Sequence, residues 1–314
     1  VSESVSNAAA ANAKLKSPKK SRNRRWKYMG FLYIGPWLLG FAIFELYPFI
    51  SSLLYSFTDL NMFKSPNFVG LQNYIEMFTR DKLFLQSLKV TFIYAVIAVP
   101  LKLAFALLIA ILLNRKLKGI NFFRTIYYLP SIMGGSAAVA LLWRYLFSRE
   151  GLVNQMTGKL SIAPIDWLGS PDIALYTISA LTVWQFGSSM VLFLAALKQV
   201  PGELYEAGRI DGASRSRMFV SITFPLITPI IFFNLIMQMV NAFQEFTAAM
   251  VITSGGPLNS TYLYGLLIYE NGFKYFKMGY ASAQSWVLFV IIMIFTLVIF
   301  KSSSKWVYYE DGGK

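Results

Sequence analysis

The 314-residue chain contains no cysteine and no histidine. Disulfides, thiolate nucleophiles, imidazole bases and the Cys/His sets that hold zinc are thereby excluded, so neither a metalloenzyme nor a Ser/His hydrolase is expected. Charge is scarce too, at 14% of residues, against about 25% in soluble domains. No G-x-x-x-x-G-K-[ST] run occurs, and without that phosphate-cradling loop the chain is not expected to bind ATP itself. No internal repeat of the kind carried by many secondary transporters is visible. What the chain has instead is apolar bulk: 56% hydrophobic residues and a mean hydropathy of +0.51. An apolar content this high and this even reads as an all-α polytopic membrane protein.

Six apolar stretches, near 29–57, 88–113, 123–147, 174–197, 229–252 and 281–300, are candidate spans. Each can cross a hydrocarbon core of about 30 Å, which takes about 20 helical residues. Lys and Arg are unevenly shared between the connections. Segments 1–28, 114–122, 198–217 and 301–314, with Arg124, hold 19 of them, whereas 58–87, 148–173 and 253–280 hold 7. The positive-inside rule then places both termini and the 198–225 loop in the cytoplasm. The net charge of +14 is accordingly read as membrane topology and not as a nucleic-acid surface. Residues 1–28 read as a basic, disordered cytoplasmic tail, 29–303 as the transmembrane domain and 304–314 as a second cytoplasmic tail. A cleaved signal peptide is not expected, because the first apolar run is too long and lacks a small-residue cleavage site.

Polar residues inside the spans are the candidates for function. Glu45 lies toward the outer end of the first span and reads as structural. Gly134, Gly135, Ser136, Ala137, Ala138 and Ala140 in the third span read as a close-packing surface. The fourth span carries Trp184, Gln185, Ser188 and Ser189 at four-residue steps. In the fifth, Asn234, Gln238, Asn241 and Glu245 follow at steps of four, three and four, which predicts one helical face. Two readings of that face stay open. It hydrogen-bonds between helices, or it lines a solute path on which amides and a carboxylate pair with sugar hydroxyls and aromatic rings stack on pyranose faces. Trp184 and Gln185 are then expected to face it.

The segment from Pro201 to Pro229 is polar and helix-signalled between two apolar spans. Pro201 suits a first turn, Glu203 and Glu206 favour the positive end of the helix dipole, and Gly212 can take the left-handed conformation that ends a helix. Leu204, Ala207, Gly208 and Asp211 fall on one face, with the small pair Ala207 and Gly208 open to close approach by a partner. Ser214 can cap a second helix carrying Arg215 and Arg217, which Pro225 is expected to interrupt before the next span.

The spacing Glu206-Ala207-Gly208, Gly212, Ile222, Pro225 resembles the E-A-A, G, I, L-P loop of ATP-binding-cassette importer permeases. Gly208 stands for the second Ala, and Phe224 for the Leu. The stretches FVGLQNY from Phe68, GLVN from Gly151 and TSGGP from Thr253, with Pro130, Trp143, Arg144, Thr261, Tyr269, Phe273 and Gly279 to Ala283, are similar to the carbohydrate branch of that family. The resemblance covers about residues 30–303. It implies a type I importer fold with six transmembrane helices in the bacterial inner membrane, of the maltose-permease F-subunit type. It further implies a second permease forming a heterodimer, two ATPase subunits, an external solute-binding protein and a carbohydrate solute. Coupling to the ATPase would fall to Glu203, Glu206, Ala207, Gly208, Asp211, Gly212, Ala213, Ile222 and Pro225. The solute path would fall to Trp184, Gln185, Ser188, Asn234, Gln238, Asn241 and Glu245. No metal and no cofactor is expected on this chain, the ATP and Mg belonging to the partner ATPases, and the chain is not expected to be an enzyme. A glycerol-phosphate or other polyol importer would carry the same motifs. The competing class is an ion-coupled secondary carrier using Glu45 or Glu245 as its proton-linked carboxylate.

Overall fold

The computed structural model describes residues 24–63, 65–115 and 118–308. Among them the secondary structure is helical apart from one isolated bridge between Thr58 and Phe68. The chain divides into two compact units, the residues before Leu53 and those from Leu53 onward.

The first unit is carried by the helix Arg24–Phe41, a π-helical turn Ala42–Leu46 that contains Glu45, and the start of the helix Tyr47–Tyr55. Helix therefore begins inside the stretch expected to be a disordered tail. The wide π turn follows Pro36 and precedes Pro48, residues that each lack an N–H and so disturb the ordinary helical ladder. The rest of the basic tail expected over residues 1–28, up to Asn23, lies outside the described residues.

The second unit is built around one long helix, Lys82–Leu113, of 32 residues. Asp81 caps it, its Oδ1 accepting from the Leu83 and Phe84 amides at 2.9 and 3.1 Å. One stripe of this helix is buried: Ala95, Ala98, Lys102, Ala106 and Ala110, at helical spacing. Small side chains let neighbouring backbones approach where apolar lipid offers no hydrophobic drive between helices. Helices Ala174–Trp184, Gly187–Gln199, Phe224–Phe243 and Tyr264–Tyr269 all pack on this rod. The last span, Met278–Ser303, is unbroken. It fits at its start because Gly279 has no Cβ, which would lie 2.9 Å from the Leu60 amide nitrogen and closer still to the Thr58 carbonyl oxygen.

Among the described residues four stretches are long and apolar enough to cross a membrane as helices, and six if each of two bent pairs counts as one span. The bent pairs correct the expectation of continuous rods. The stretch expected at 123–147 is Ile120–Ile132 followed by Ala137–Leu146, turned by 101°. Gly135 makes the corner at φ +72°, and Ser136 caps the second piece, accepting from the Ala138 amide at 3.2 Å. The glycines read as packing residues are thus a hinge in the backbone path. The stretch expected at 174–197 is Ala174–Trp184 and Gly187–Gln199, bent by 46° at Gln185 and Phe186.

A third correction concerns Pro225. It does not separate the loop from the fifth span, because helix runs from Arg215 to Phe243. A π-helical turn, Phe219–Thr223, precedes the proline, and its wider winding accommodates a residue with no N–H to donate. At its far end this helix stops at Phe243, and a further π segment, Ala249–Thr253, lies beyond a short break. Trp306 and Tyr308 lie beside this helix: the Tyr308 amide donates to Thr228 Oγ1 at 2.9 Å, and the Trp306 ring lies 6.0 Å from that of Phe232.

Candidate functional site

The sequence-predicted residues gather at two places, one on the 202–225 segment and one at the breaks of the fourth and fifth spans.

At the first place, Gly202–Ile210 is a helix with Glu203 in its first turn. It ends in a complete Schellman turn. Gly212 sits at φ +74°, its amide donates to the Arg209 carbonyl at 3.1 Å, and the Ala213 amide donates to the Gly208 carbonyl at 2.8 Å. Those two bonds satisfy carbonyls that the helix end would leave without partners. Ser214 Oγ then accepts from the Arg217 amide at 3.3 Å and opens the helix into the fifth span. Tyr205 and Thr223 join their hydroxyls at 2.8 Å, which fixes the short helix to the π turn at the base of that span.

The face assignment needs correcting. Gly208 is not on the outer face with Ala207. It points inward with Tyr205, and a Cβ there would meet Met218 and Ile222, each at 3.4 Å. That is ordinary contact for a methyl group, so alanine in place of Gly208 fits this fold. Glu203, Leu204, Glu206, Ala207, Asp211 and Gly212 are exposed, while Ile222 and Pro225 are half-buried against the segment. Ile210, unmarked in the sequence reading, is 87% exposed. The signal for it was present, since an isoleucine next to the helix stop lies off the inward Tyr205–Gly208 face. A cleft of about 570 Å³ runs between the Schellman turn and Ser214, Arg217, Met218 and Ile222.

At the second place, the four-residue polar stripe is not one helical face. Asn234, Gln238 and Asn241 share the helix Phe224–Phe243, but Glu245 falls in the break beyond it. Its Oε1 accepts from the Ala248 amide at 2.9 Å and so caps the helix that follows. Capping a helix start and continuing the previous helix are mutually exclusive, and sequence spacing alone does not choose between them. Asn234 leaves the solute-facing set: it is buried, and its Nδ2 donates to the Ile230 carbonyl of its own helix at 3.0 Å. Gln238 is half-buried and Asn241 exposed. Gly265 lets the helix Tyr264–Tyr269 press on the break, since a Cβ there would lie 2.8 Å from the Glu245 carbonyl oxygen.

Trp184 and Gln185 each lie beside a residue of the third span. The Trp184 ring lies 5.9 Å from that of Trp143. A Cβ on Gly134 would lie 3.3 Å from Gln185 Oε1. The break beside them is clasped by Ser131, whose Oγ donates to the Gln185 carbonyl at 3.1 Å and accepts from the Ser188 amide at 3.1 Å. Ser188 is exposed and Ser189 buried. Gly187 is obligatory at this crossing, because a Cβ would lie 2.7 Å from the Tyr127 carbonyl oxygen. Sequence reasoning missed Ser131 and Gly187, although a glycine directly after a Gln-Phe pair in an apolar run is a break signal.

Among the described residues no group of His, Cys, Asp and Glu is arranged to hold a metal. One place is an exposed short helix bonded to a long one, and the other a set of amides and a carboxylate at the far end of that long helix.

Comparison with known proteins gives this arrangement its context. Residues 77–308 match the family described as binding-protein-dependent transport system inner membrane component. The chain is similar to the probable ABC transporter permease protein YesP of Bacillus subtilis, with 49% identity over 297 residues, 93% of this chain and 96% of that one. It is also similar to AmyD of Thermoanaerobacterium thermosulfurigenes, a probable starch degradation products transport system permease protein. That match has 32% identity and covers 90% of this chain and 95% of AmyD. A bacterial alginate ABC transporter, solved in complex with an alginate pentasaccharide-bound periplasmic protein, contains a chain of the same fold. It superposes with a TM-score of 0.77 at 20% identity, over 90% of this chain and 96% of that one. Six apolar stretches with broken third and fourth helices, a Schellman-stopped surface helix and a family match across most of the length converge: the chain belongs to the inner-membrane permease components of binding-protein-dependent ABC transporters.

Proposed function

We propose that this permease forms half of the translocation pathway of an ATP-driven carbohydrate importer. A second permease completes the pathway, two ATPase subunits dock on the cytoplasmic side with their ATP and Mg²⁺, and an external binding protein delivers the solute. Both chain termini lie in the cytoplasm. The observation that carries the proposal is the outer face of Gly202–Ile210, where Leu204 and Ile210 are 40% and 87% exposed beside Glu203, Glu206 and Asp211. Apolar side chains held in water on a rigid, charge-rimmed helix fit burial in a partner's cleft.

Movement of that partner reaches the pathway through a lever. The Schellman turn and the Tyr205–Thr223 bond make the docking helix one body with Arg215–Phe243, a 29-residue helix. At 1.5 Å per residue it is about 44 Å long. Tilting it displaces Gln238, Asn241 and Glu245 at the opposite end. The two amides donate and accept hydrogen bonds and the carboxylate accepts them, as sugar hydroxyls require. The naming of AmyD for starch degradation products, and the pentasaccharide in the alginate complex, support a carbohydrate over an inorganic solute.

The test is the full importer, co-expressed and reconstituted in proteoliposomes. Ile210→Asp with Leu204→Asp is expected to abolish co-purification of the ATPase subunits while the permease still inserts. Uptake of maltose, maltotriose and lactose by the wild-type assembly is expected, with glycerol 3-phosphate as the competing solute. Intact co-purification would overturn the docking role, and uptake of glycerol 3-phosphate alone would overturn the carbohydrate reading.

A further inference from the structure

Directly after Glu245 begins a row of aromatic rings that leads out of the span. The Phe246 and Tyr269 centroids are 4.7 Å apart with planes at 42°, and those of Tyr269 and Phe273 are 5.4 Å apart at 30°. The rings pack tilted one against the next, and the row ends in Phe273, which is 61% exposed. Beside the row is a cleft of about 350 Å³ lined by Met250, Ser254, Leu266, Tyr269, Glu270, Phe273 and Lys274.

The rim of the cleft is polar and fixed. Lys274 Nζ meets Glu270 Oε1 at 2.8 Å, while Glu270 Oε2 accepts from the Tyr262 hydroxyl. Burial, then the bond to Glu270, raises the Tyr262 hydroxyl above the ordinary tyrosine range, so it remains a donor. Held by two donors, the carboxylate keeps further lone pairs available, and the exposed ammonium keeps two donors. An aromatic floor under a fixed donor–acceptor rim suits one class of ligand. The C–H face of a pyranose lies on the exposed Phe273 ring while its hydroxyls reach the rim.

The geometry points to an outer sugar subsite on Tyr269 and Phe273, which holds one pyranose unit of an oligosaccharide before the chain reaches Gln238 and Glu245. This rests on the carbohydrate reading above and extends it to a selection by length, because a unit held at Phe273 leaves Gln238 and Glu245 to the units that follow. Core packing is a poorer account of Phe273. Aromatic residues that serve the core here, such as Phe84 and Phe243, are buried to 0% and 1% exposure.

The experiment uses the complete importer with its binding protein in proteoliposomes and labelled maltooligosaccharides of two to seven units as probes. Phe273→Ala is expected to raise KM for the longest transported probe about tenfold, equivalent to about 1.4 kcal/mol. KM for the disaccharide should move less than twofold, kcat should hold, and Phe273→Trp should restore the long probe. Equal KM changes at every length, or none, would overturn the subsite while leaving the carbohydrate reading in place. Loss of assembly in both variants would also overturn it and put Phe273 in the contact with the second permease. Wild-type import of no maltooligosaccharide, with import of glycerol 3-phosphate, would remove the carbohydrate reading and the subsite together.

Discussion

The coupling role proposed for the 202–225 segment rests on one backbone angle, at Gly212. At φ +74° a side chain adds a clash between Cβ and the following carbonyl worth about 1–2 kcal/mol. Gly212→Val should therefore loosen the stop that joins the helix Gly202–Ile210 to the helix Arg215–Phe243. Solute uptake and solute-stimulated ATP hydrolysis are expected to fall together in proteoliposomes, with the amount of inserted permease unchanged on a blot. Gly265 is a different kind of glycine, required for space and not for its dihedral. A methyl group there would sit 2.8 Å from the Glu245 carbonyl oxygen, and relieving that overlap costs about 1–3 kcal/mol. Gly265→Ala is expected to lower the thermal midpoint of the purified assembly and raise KM for solute, since the break carrying Glu245 must shift. Asp81 ties two elements, capping the rod with Oδ1 and accepting from the Tyr280 hydroxyl with Oδ2 at 2.7 Å. Asp81→Ala removes both and should cost about 1–2 kcal/mol, read as a lower thermal midpoint with solute selectivity preserved.

Between elements, the polar residues of the fifth span separate packing from recognition by how they fail. Losing an interhelical hydrogen bond in a membrane costs about 0.6 kcal/mol, so Gln238→Ala and Asn241→Ala should leave assembly intact. Both are expected to raise KM or change the order of preference among sugars, whereas Asn234→Ala should leave transport kinetics unaltered. Parallel loss of assembly and uptake at Gln238 and Asn241 would return them to packing. The same elements show what could be read from the residues beforehand. The unbroken spans were legible because hydropathy measures apolar length, and Gly212 was legible because a glycine after a polar amphipathic run has one common use. Hydropathy has no direction, however, so Ile120–Ile132 and Ala137–Leu146 looked like one span although they turn by 101°. The clue lay in Gly135-Ser136, a left-handed corner followed by a cap. Spacing at three and four residues grouped Glu245 with Asn241 for the same reason. Periodicity presumes a helix, and a carboxylate that caps the next helix ends the one being counted.

For the whole molecule, the asymmetry of 19 against 7 basic residues yields a test of orientation that needs no transport assay. Single cysteines at Lys118 or Lys305, both exposed, are expected to resist a membrane-impermeant thiol reagent in intact cells, whereas cysteines at Ser65 or Lys159, also exposed, should react. Labelling of Lys118→Cys from outside would invert the topology. The long rod Lys82–Leu113 bears on a further property of the chain, its tolerance of lost residues. Because each helical residue advances the face by about 100°, deleting one residue between Ala95 and Ala106 would turn one half of the Ala95–Ala110 stripe toward lipid. Lys102, buried in that stripe, would lose its place in the protein interior along with the alanines. The corner at Gly134 and Gly135 has no such register to keep, since helix stops before it and a fresh cap starts after it. Length changes in this protein should thus survive at its corners and be lost from its central rod.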